Sequence, residues 1–399
     1  MHVVVLGAGY AGLTLSRLLE DTLPDGVDLT VVDESPDHLV QHELHRVIRR
    51  PELTSEISIS LPEVLETASV RVATVEGIDR DERTITLSNG SLSYDVAAIC
   101  LGARTAFYGI DGVREHAIPL KRLPHASRIR ARALEGCRAD EFRIVVGGAG
   151  LSGIQVAGEL AVLVSERGSD ATVTLLEQFD SVAPSFPENF QRAVARTLDA
   201  QGVDVRTGAA VTRADESRVA LESGEELPSD LFVWTGGIQG ADAFDGDRPT
   251  VEADLRLDAR TFALGDAARV VDATGEAVPA SAQTAVRQAR TAAENVRRVV
   301  DADLEGGGFD RDADVGEAID GARVADDPGP ELETYSYDSP GWVVSVGDDA
   351  VAQVGPAVVT GRAAKTLKAT VGVGYLSSVG AVRNAADLAY LESPFGRRH

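Results

Sequence analysis

The sequence predicts an α/β protein: two open parallel sheets flanked by helices, the second inserted into the first, followed by an α+β tail. Three observations carry this prediction. Residues 3–6 are an apolar strand pattern that runs into Gly7-Ala8-Gly9-Tyr10-Ala11-Gly12 and then an amphipathic helix. The same pattern returns at 144–153, where Ile144-Val145-Val146-Gly147 leads into Gly148-Ala149-Gly150-Leu151-Ser152-Gly153. In both copies a second apolar strand follows and ends in an acid: Asp33 after 29–32, and Glu177 after 173–176.

The G-x-G-x-x-G spacing has a physical meaning. The first two glycines let the backbone turn tightly and approach a pyrophosphate, and the third lets the helix pack close to the strand. The helix N-terminus adds free N–H groups and the positive end of its dipole. The acid accepts hydrogen bonds from ribose hydroxyls. A single such turn is weak support, because glycine-rich turns are common. Two, each with the full strand-turn-helix-strand-acid context, indicate two Rossmann-like dinucleotide-binding units. Gly7, Gly9, Gly12 and Asp33 are the candidates for one dinucleotide; Gly148, Gly150, Gly153 and Glu177 are the candidates for the other.

The remaining elements follow in order. The first helix runs to about residue 20 and the second strand covers 28–33. A loop at 34–36 leads to His38-Leu39-Val40-Gln41-His42. Residues 70–94 read as short β-segments with a turn at Asn89-Gly90, and a buried strand over 94–101 closes on a turn at Gly102. Residues 121–136 read as a polar, arginine-rich helix before the second unit begins at Phe142. A strand at 231–234 ends in Thr235-Gly236-Gly237, and one at 261–264 ends in Gly265-Asp266. A helix follows over 281–299. Residues 301–330, rich in Asp, Gly and Glu, read as an acidic linker or insertion, and 341–354 as a β-segment. The stretch 351–386 contains no Asp or Glu but holds Arg362, Lys365, Lys368 and Arg383. Within it Leu367, Val371, Tyr375 and Val379 recur at i+4 and are expected to share one helix face.

Composition narrows the function. The 399 residues carry a formal charge of −25, and of the 38 basic residues only Lys121, Lys365 and Lys368 are lysine. A dense acidic surface poor in lysine fits a protein that stays soluble in high salt, where screening weakens self-repulsion. Nucleic-acid binding is disfavoured, because no basic stripe exists to meet a phosphate backbone. Cys100 and Cys137 form no C-x-x-C pair and have no metal-ligand spacing, so no metal site is expected. No secretory signal is seen before the first strand and no apolar run is long enough to span a bilayer. The expected location is cytoplasmic, with contact at the inner face of the cell membrane left open.

The order of these junctions resembles that of the two-dinucleotide flavoprotein reductases, the FAD/NAD(P)-dependent pyridine nucleotide oxidoreductases. Within them the chain is similar to the type II NADH dehydrogenases, which are NADH:quinone oxidoreductases. The stretches that carry the resemblance are His38-Leu39-Val40-Gln41, Tyr94-Asp95 leading to Leu101-Gly102-Ala103, Phe107-Tyr108-Gly109-Ile110-Asp111-Gly112, Glu115-His116-Ala117 and Leu120-Lys121. To these are added 147–159, Leu264-Gly265-Asp266 and Ala282-Gln283-Thr284-Ala285. The pattern departs in three places. Gln155 stands where the family often has glutamate, although an amide still hydrogen-bonds a nicotinamide carboxamide. Arg287 replaces the second glutamine of the family's A-Q-x-A-x-Q motif, with Gln288 following. The loop after Gln41 lacks the family's prolines.

The resemblance implies a domain plan: 1–115 and 238–300 binding FAD, 116–237 binding NAD, 301–330 a linker, and 331–399 a membrane-docking or interface region. It implies that Gly7, Gly9, Gly12 and Gly102 hold FAD, with Asp33 on the adenosine ribose and Asp266 on the ribityl chain. A helix N-cap is the plainer reading of Asp266. Gly148, Gly150 and Gly153 would hold the NADH pyrophosphate. Glu177 would bind the ribose 2′-hydroxyl and repel a 2′-phosphate, a preference that Arg192 and Arg196 could soften. Gly236 and Gly237 would let nicotinamide lie flat on the flavin. Glu159 would either face the gap between the cofactors or pair with an arginine. Gln283 would position a quinone or bind the flavin pyrimidine.

The implied reaction passes a hydride from NADH to FAD and two electrons onward to a quinone, with no nucleophilic side chain. The lack of a cysteine pair argues against disulfide reductases and sulfide:quinone oxidoreductases. A soluble NADH-dependent reductase of a ferredoxin-like or small acceptor is the alternative, and a flavin-binding redox sensor a third. The tail is expected to place Leu367, Val371, Tyr375 and Val379 toward lipid, with Arg362, Lys365 and Lys368 near headgroups. Packing on the protein body, or a homodimer interface, would also exclude acids.

Overall fold

The computed structural model describes residues 1–305, 330–339 and 341–392. Most of the acidic segment expected at 301–330 lies outside the described residues, and 301–305 continue the helix Ala282–Glu305. The chain forms two compact units: Met1–His38, Ser60–Ala103 and Gly240–Asp338 make the first, and Leu39–Ile59, Arg104–Gln239 and Ser339–His399 the second.

The first unit is built on a five-stranded parallel sheet in the order Thr261–Ala263, Val96–Ile99, His2–Leu6, Asp28–Asp33, Ser69–Val72. The apolar runs read in the sequence become its central strands; Val3, Val4, Val5 and Leu6 are fully buried, as a parallel strand covered on both faces requires. The helices Tyr10–Thr22 and Ala282–Glu305 pack on each other. The second lays a face of small residues, Ala285, Ala289, Ala292 and Ala293, into the core, which allows close approach. Asn295, fully buried on that helix, bonds the carbonyls of Asp254 and Glu333 and accepts from the Glu333 N–H, fixing 330–338 to this unit. The hairpin expected at Asn89-Gly90 joins Thr84–Leu87 to Gly90–Ser93.

The second unit repeats the architecture. Its five parallel strands run in the order Ile118–Pro119, Leu231–Trp234, Arg143–Gly147, Thr172–Leu176, Val203–Arg206. An antiparallel sheet of Gly341–Val346, Asp349–Val354 and Ala357–Thr360, with helices Arg362–Ser378 and Val382–Glu392, completes it. The helix Leu151–Glu166 packs on the strand Gly341–Val346 so closely that a Cβ on Gly158 would lie 2.4 Å from the Gly347 nitrogen.

The two units divide the chain otherwise than the domain plan: residues 39–59, residues 104–115 and the tail from 339 all group with the second unit. For 39–59 and the tail the reason is electrostatic. The 3-10 turn Gln41–Ile48 carries Glu43, which is buried and clasped by Arg46 at 2.7 Å and by Lys368 of the tail at 3.1 Å. His45 hydrogen-bonds the Ser345 hydroxyl at 2.7 Å. Arg49 reaches Glu159 at 2.8 Å, Asp348 at 2.9 Å and Glu166 at 3.0 Å. Arg130 donates to the carbonyls of Ile48 and Arg49. Breaking such a buried pair on one side leaves an uncompensated charge, so the set holds the segment and the tail against one core.

The same burial sets the protonation states. Burial would raise the Glu43 carboxyl, but Lys368 and Arg46 overcome it and hold it well below the usual carboxylate range. Burial pushes His42 down to about 4 and His45 well below its usual value, with Lys368 and Arg46 adding to the effect. In the unfolded chain both imidazoles take a proton near pH 6.5, which the folded chain refuses. Stability is therefore full above about pH 6.5 and falls as the pH drops toward 4, because the unfolded chain takes up protons that the folded chain does not. Urea-unfolding midpoints measured from pH 7 to pH 4.5 should show this slope, and His42→Gln should reduce it by about one proton. A flat profile, or an unchanged slope in the variant, would contradict the assignment.

Candidate dinucleotide sites

The two fingerprints fold into turns with matching backbone angles and hydrogen bonds. Gly7 and Gly148 have φ of +92° and +94°, a region that glycine alone occupies without cost. The Gly7 N–H donates to the Val32 carbonyl at 2.7 Å, and the Gly148 N–H to the Leu176 carbonyl at 2.8 Å. A Cβ on Gly12 would lie 1.7 Å from the Gly7 carbonyl oxygen, and one on Gly153 would lie 1.8 Å from that of Gly148. The middle glycines differ in kind. Gly9 and Gly150 are exposed, with open space where a Cβ would stand. Each begins a helix, Tyr10–Thr22 and Leu151–Glu166. The turn is thus packed tight on the protein side and left clear at the helix N-terminus, which is the form a pyrophosphate needs.

Both acids brace the turn they follow. Asp33 accepts from the Ala8 N–H at 2.6 Å and, through its other oxygen, from the Ser35 N–H at 2.9 Å. Glu177 accepts from the Ala149 N–H at 2.8 Å and from the Phe179 N–H at 3.1 Å. Each carboxylate is thereby fixed in orientation, with lone pairs remaining for ribose hydroxyls.

Further residues of each unit are held in place as follows. In the first unit the His38 ring, fully buried, donates from Nδ1 to the Ala8 carbonyl at 2.8 Å and meets the Tyr10 ring edge-on. Gly102 has φ +64° after the strand Val96–Ile99. Asp266 lies half-buried in the short turn Gly265–Ala267, and its side chain caps no helix, so the N-cap reading is set aside. Its carbonyl accepts from Arg248, which also reaches Ala268. The helix Ala282–Glu305 opens on a reciprocal cap between Ser281 and Thr284, and Gln283 sits half-buried in its first turn. Gln288, buried one turn on, accepts from the Gly265 N–H at 2.7 Å. His38, Arg248 and Gln288 had no assigned role in the sequence. For Gln288 the signal was available, as the glutamine displaced by one position from the expected motif.

In the second unit Thr235 donates toward the carbonyls of Gly147 and Gly148 and locks the turn to the end of the strand Leu231–Trp234. Gly236 is packed against the Trp234 ring, and Gly237, at φ +156°, lies under the Tyr108 hydroxyl. Gln155 is half-buried on the fingerprint helix. Glu159 takes the arginine-pairing alternative. Burial raises its carboxyl, and Arg49 opposes that shift through a 2.8 Å bond. Cys100 is buried in the first unit, and burial pushes its thiol well up, away from the reactive thiolate form. No cluster of metal-ligating side chains occurs among the described residues.

The tail departs from its expected face. The buried stripe of the helix Arg362–Ser378 is Ala364, Lys368, Gly372 and Leu376. Lys368 is spent on Glu43, Val379 is buried beyond the helix end, and Tyr375 is half-buried against His42. Leu367 and Val371 stay exposed, joined by Val382 on the next helix. No helix of the described residues is long and apolar enough to cross a membrane.

Comparison with known proteins bears on the family and the fold. The family described as pyridine nucleotide-disulphide oxidoreductase matches residues 1–289. The type II NADH:quinone oxidoreductase of Staphylococcus epidermidis is 27% identical over 75% of this chain and 82% of its own length. That of Staphylococcus aureus is 25% identical over 95% of this chain and 96% of its own. Among solved structures, NDH2 from Plasmodium falciparum in complex with NADH aligns with a TM-score of 0.73 at 13% identity, covering 99% of this chain and 98% of that one. The sulfide:quinone oxidoreductase from Aquifex aeolicus aligns with a TM-score of 0.76 at 18% identity, covering 100% and 96%. At these identities the two structures bear on the fold.

The turns should be separable by mutation. Gly12→Ala should abolish flavin retention, read as visible absorbance per chain, because the new methyl group meets the Gly7 carbonyl. Gly153→Ala should leave flavin bound but weaken NADH binding by at least tenfold. Retention of both ligands by both variants would contradict the assignment.

Proposed function

The chain belongs to the pyridine nucleotide-disulphide oxidoreductase family, and from that premise we propose that it is an FAD-dependent, non-proton-pumping NADH:quinone oxidoreductase of the type II class. The observation that carries this reading is the pair of matched turns, each braced by its own acid, together with relatives named for that activity. The reaction converts NADH, a proton and a quinone into NAD⁺ and a quinol. FAD, when bound, supplies the redox chemistry of accepting a hydride and releasing two electrons to the acceptor.

The chain's own residues bind and orient. Gly7, Gly9 and Gly12 hold the pyrophosphate of FAD, Asp33 its ribose, and Gly102 and Asp266 the remainder, with His38 and Gln288 keeping the two junctions rigid. Gly148, Gly150 and Gly153 hold the pyrophosphate of NADH, and Glu177 its adenosine ribose. Gln283, at a helix start, orients the acceptor, and Gln155 the carboxamide. Glu159 acts through Arg49 as a positioning residue for 39–59. Cys100 and Cys137 form no C-x-x-C pair, which supports an acceptor other than a disulfide.

Two finer points belong to the same proposal. Leu367, Val371 and Val382 are exposed apolar side chains in the acid-free stretch 351–386, and we read them as the contact with the inner face of the membrane. The acidic, lysine-poor composition supports a working environment of high salt, where apolar burial rather than charge would hold the protein on lipid.

Steady-state NADH oxidation by the purified protein, with a water-soluble quinone compared with a ferredoxin, tests the reading. Faster turnover with the quinone is expected; turnover with the ferredoxin alone would favour a soluble reductase, and none with either would favour a sensor. NADH should be the better donor by about tenfold over NADPH, from ribose hydrogen bonds and phosphate repulsion. Glu177→Ala should remove that preference, and equal kcat/KM for the two donors in the unaltered protein would contradict it. Leu367→Glu with Val371→Glu should release the protein from vesicles in high salt while sparing turnover with the soluble quinone. Vesicle binding unaffected by the pair would overturn the docking face.

A further inference from the structure

The described residues leave two aromatic side chains largely exposed, Tyr108 and Phe179. Phe179 is 55% exposed and stands two residues after Glu177. Its backbone is fixed on both sides: its N–H donates to Glu177 at 3.1 Å, and its carbonyl accepts from the Gly208 N–H at 2.9 Å. Glu177 is itself held by the Ala149 N–H and, through its carbonyl, by the Ala209 N–H. The ring therefore projects from a rigid point, locked to the very carboxylate that orients a ribose. Its flanking residues, Gln178 and Asp180, are exposed and polar, so it belongs to no apolar patch of its own segment.

The internal repeat sharpens this. In the first fingerprint the residue two places after the acid is Ser35, whose N–H donates to Asp33 at 2.9 Å in the same geometry. The two copies thus share a backbone and differ in what that backbone presents at the adenosine end: a small hydroxyl in one, a bare aromatic face in the other. An aromatic face exposed to water is unfavourable until something flat and apolar covers it, and a nucleobase does so without needing any particular hydrogen-bond pattern.

We propose that Phe179 is the adenine-stacking residue of the second dinucleotide site, a positioning residue that makes the protein select a dinucleotide over a mononucleotide donor. This rests on the reading of that site as the NADH site. The ring anchors the adenosine half, so that binding energy gathered far from the nicotinamide orients it, and a donor lacking adenosine gains nothing from it.

The test uses the flavin-loaded protein with ADP-ribose, which carries the adenine, ribose and pyrophosphate but no nicotinamide, and with reduced nicotinamide mononucleotide, which lacks the adenosine. Phe179→Ala should weaken ADP-ribose binding and raise the KM for NADH by about tenfold with kcat unchanged, a loss within the range of one base-aromatic stack. The KM for the mononucleotide should not move, and Phe179→Trp should restore both dinucleotide values. ADP-ribose binding in Phe179→Ala equal to that of the unaltered protein would overturn the stacking role alone. An equal loss with the mononucleotide would mark Phe179 as structural and overturn it too. Failure of the unaltered protein to bind ADP-ribose would instead overturn the NADH site on which the proposal rests.

Discussion

A carbonyl oxygen stands where a side chain at residue 12 or residue 153 would begin, and the rest of each unit is arranged around that fact. With the third glycine in place, the helix start lies against the turn, and the exposed middle glycine is left at the helix N-terminus. The left-handed first glycine then presents its N–H to the neighbouring strand and the next N–H to the acid. One crowded contact thereby links the strand, the turn, the helix and the carboxylate that ends the second strand. The acid is ordered before any ligand arrives, so little of its freedom remains to be lost on binding.

The second unit depends on a different constraint, a set of buried charges that must satisfy one another. Glu43, Arg46 and Lys368 form one group, and Arg49, Glu159 and Asp348 another, and they draw in residues from 41–49, the fingerprint helix and the tail. Asp348 is exposed, but the other charges are buried and depend on their partners, so the segment 39–59 and the tail are fixed to this unit by specificity rather than by apolar contact alone. Glu159 is part of that scaffold.

What the sequence made legible was local. The strand-turn-helix-strand-acid pattern lies within some thirty residues, and its geometry follows from glycine sterics, so both turns and both acids stand where the pattern put them. The strand-to-glycine junctions at Gly102, Gly236 and Gly265 were legible for the same reason. What stayed hidden was long-range. Nothing near Arg49 announces Glu159 or Asp348, which are 110 and 299 residues away, and nothing near Lys368 announces Glu43. The tail shows the limit of periodicity most clearly. The i+4 rule found a stripe at Leu367, Val371 and Tyr375, but the buried stripe is the adjacent one through Ala364, Lys368, Gly372 and Leu376. A lysine and a glycine disguise that stripe as surface, because the lysine has a buried acid to meet and the glycine has none of the apolar bulk that periodicity detects. His38 was quoted for its family likeness, yet its bond to the Ala8 carbonyl is a matter of side-chain direction that no spacing encodes.

The central claim is that two dinucleotides bind this chain and exchange electrons. Anaerobic titration of the purified protein with NADH, followed at the flavin absorbance before any acceptor is added, tests it most directly. The account predicts a yellow protein with one non-covalent FAD per chain, bleached fully by one equivalent of NADH and recoloured by a quinone. A folded protein that takes up no FAD, or one whose flavin stays oxidised in excess NADH, would contradict it.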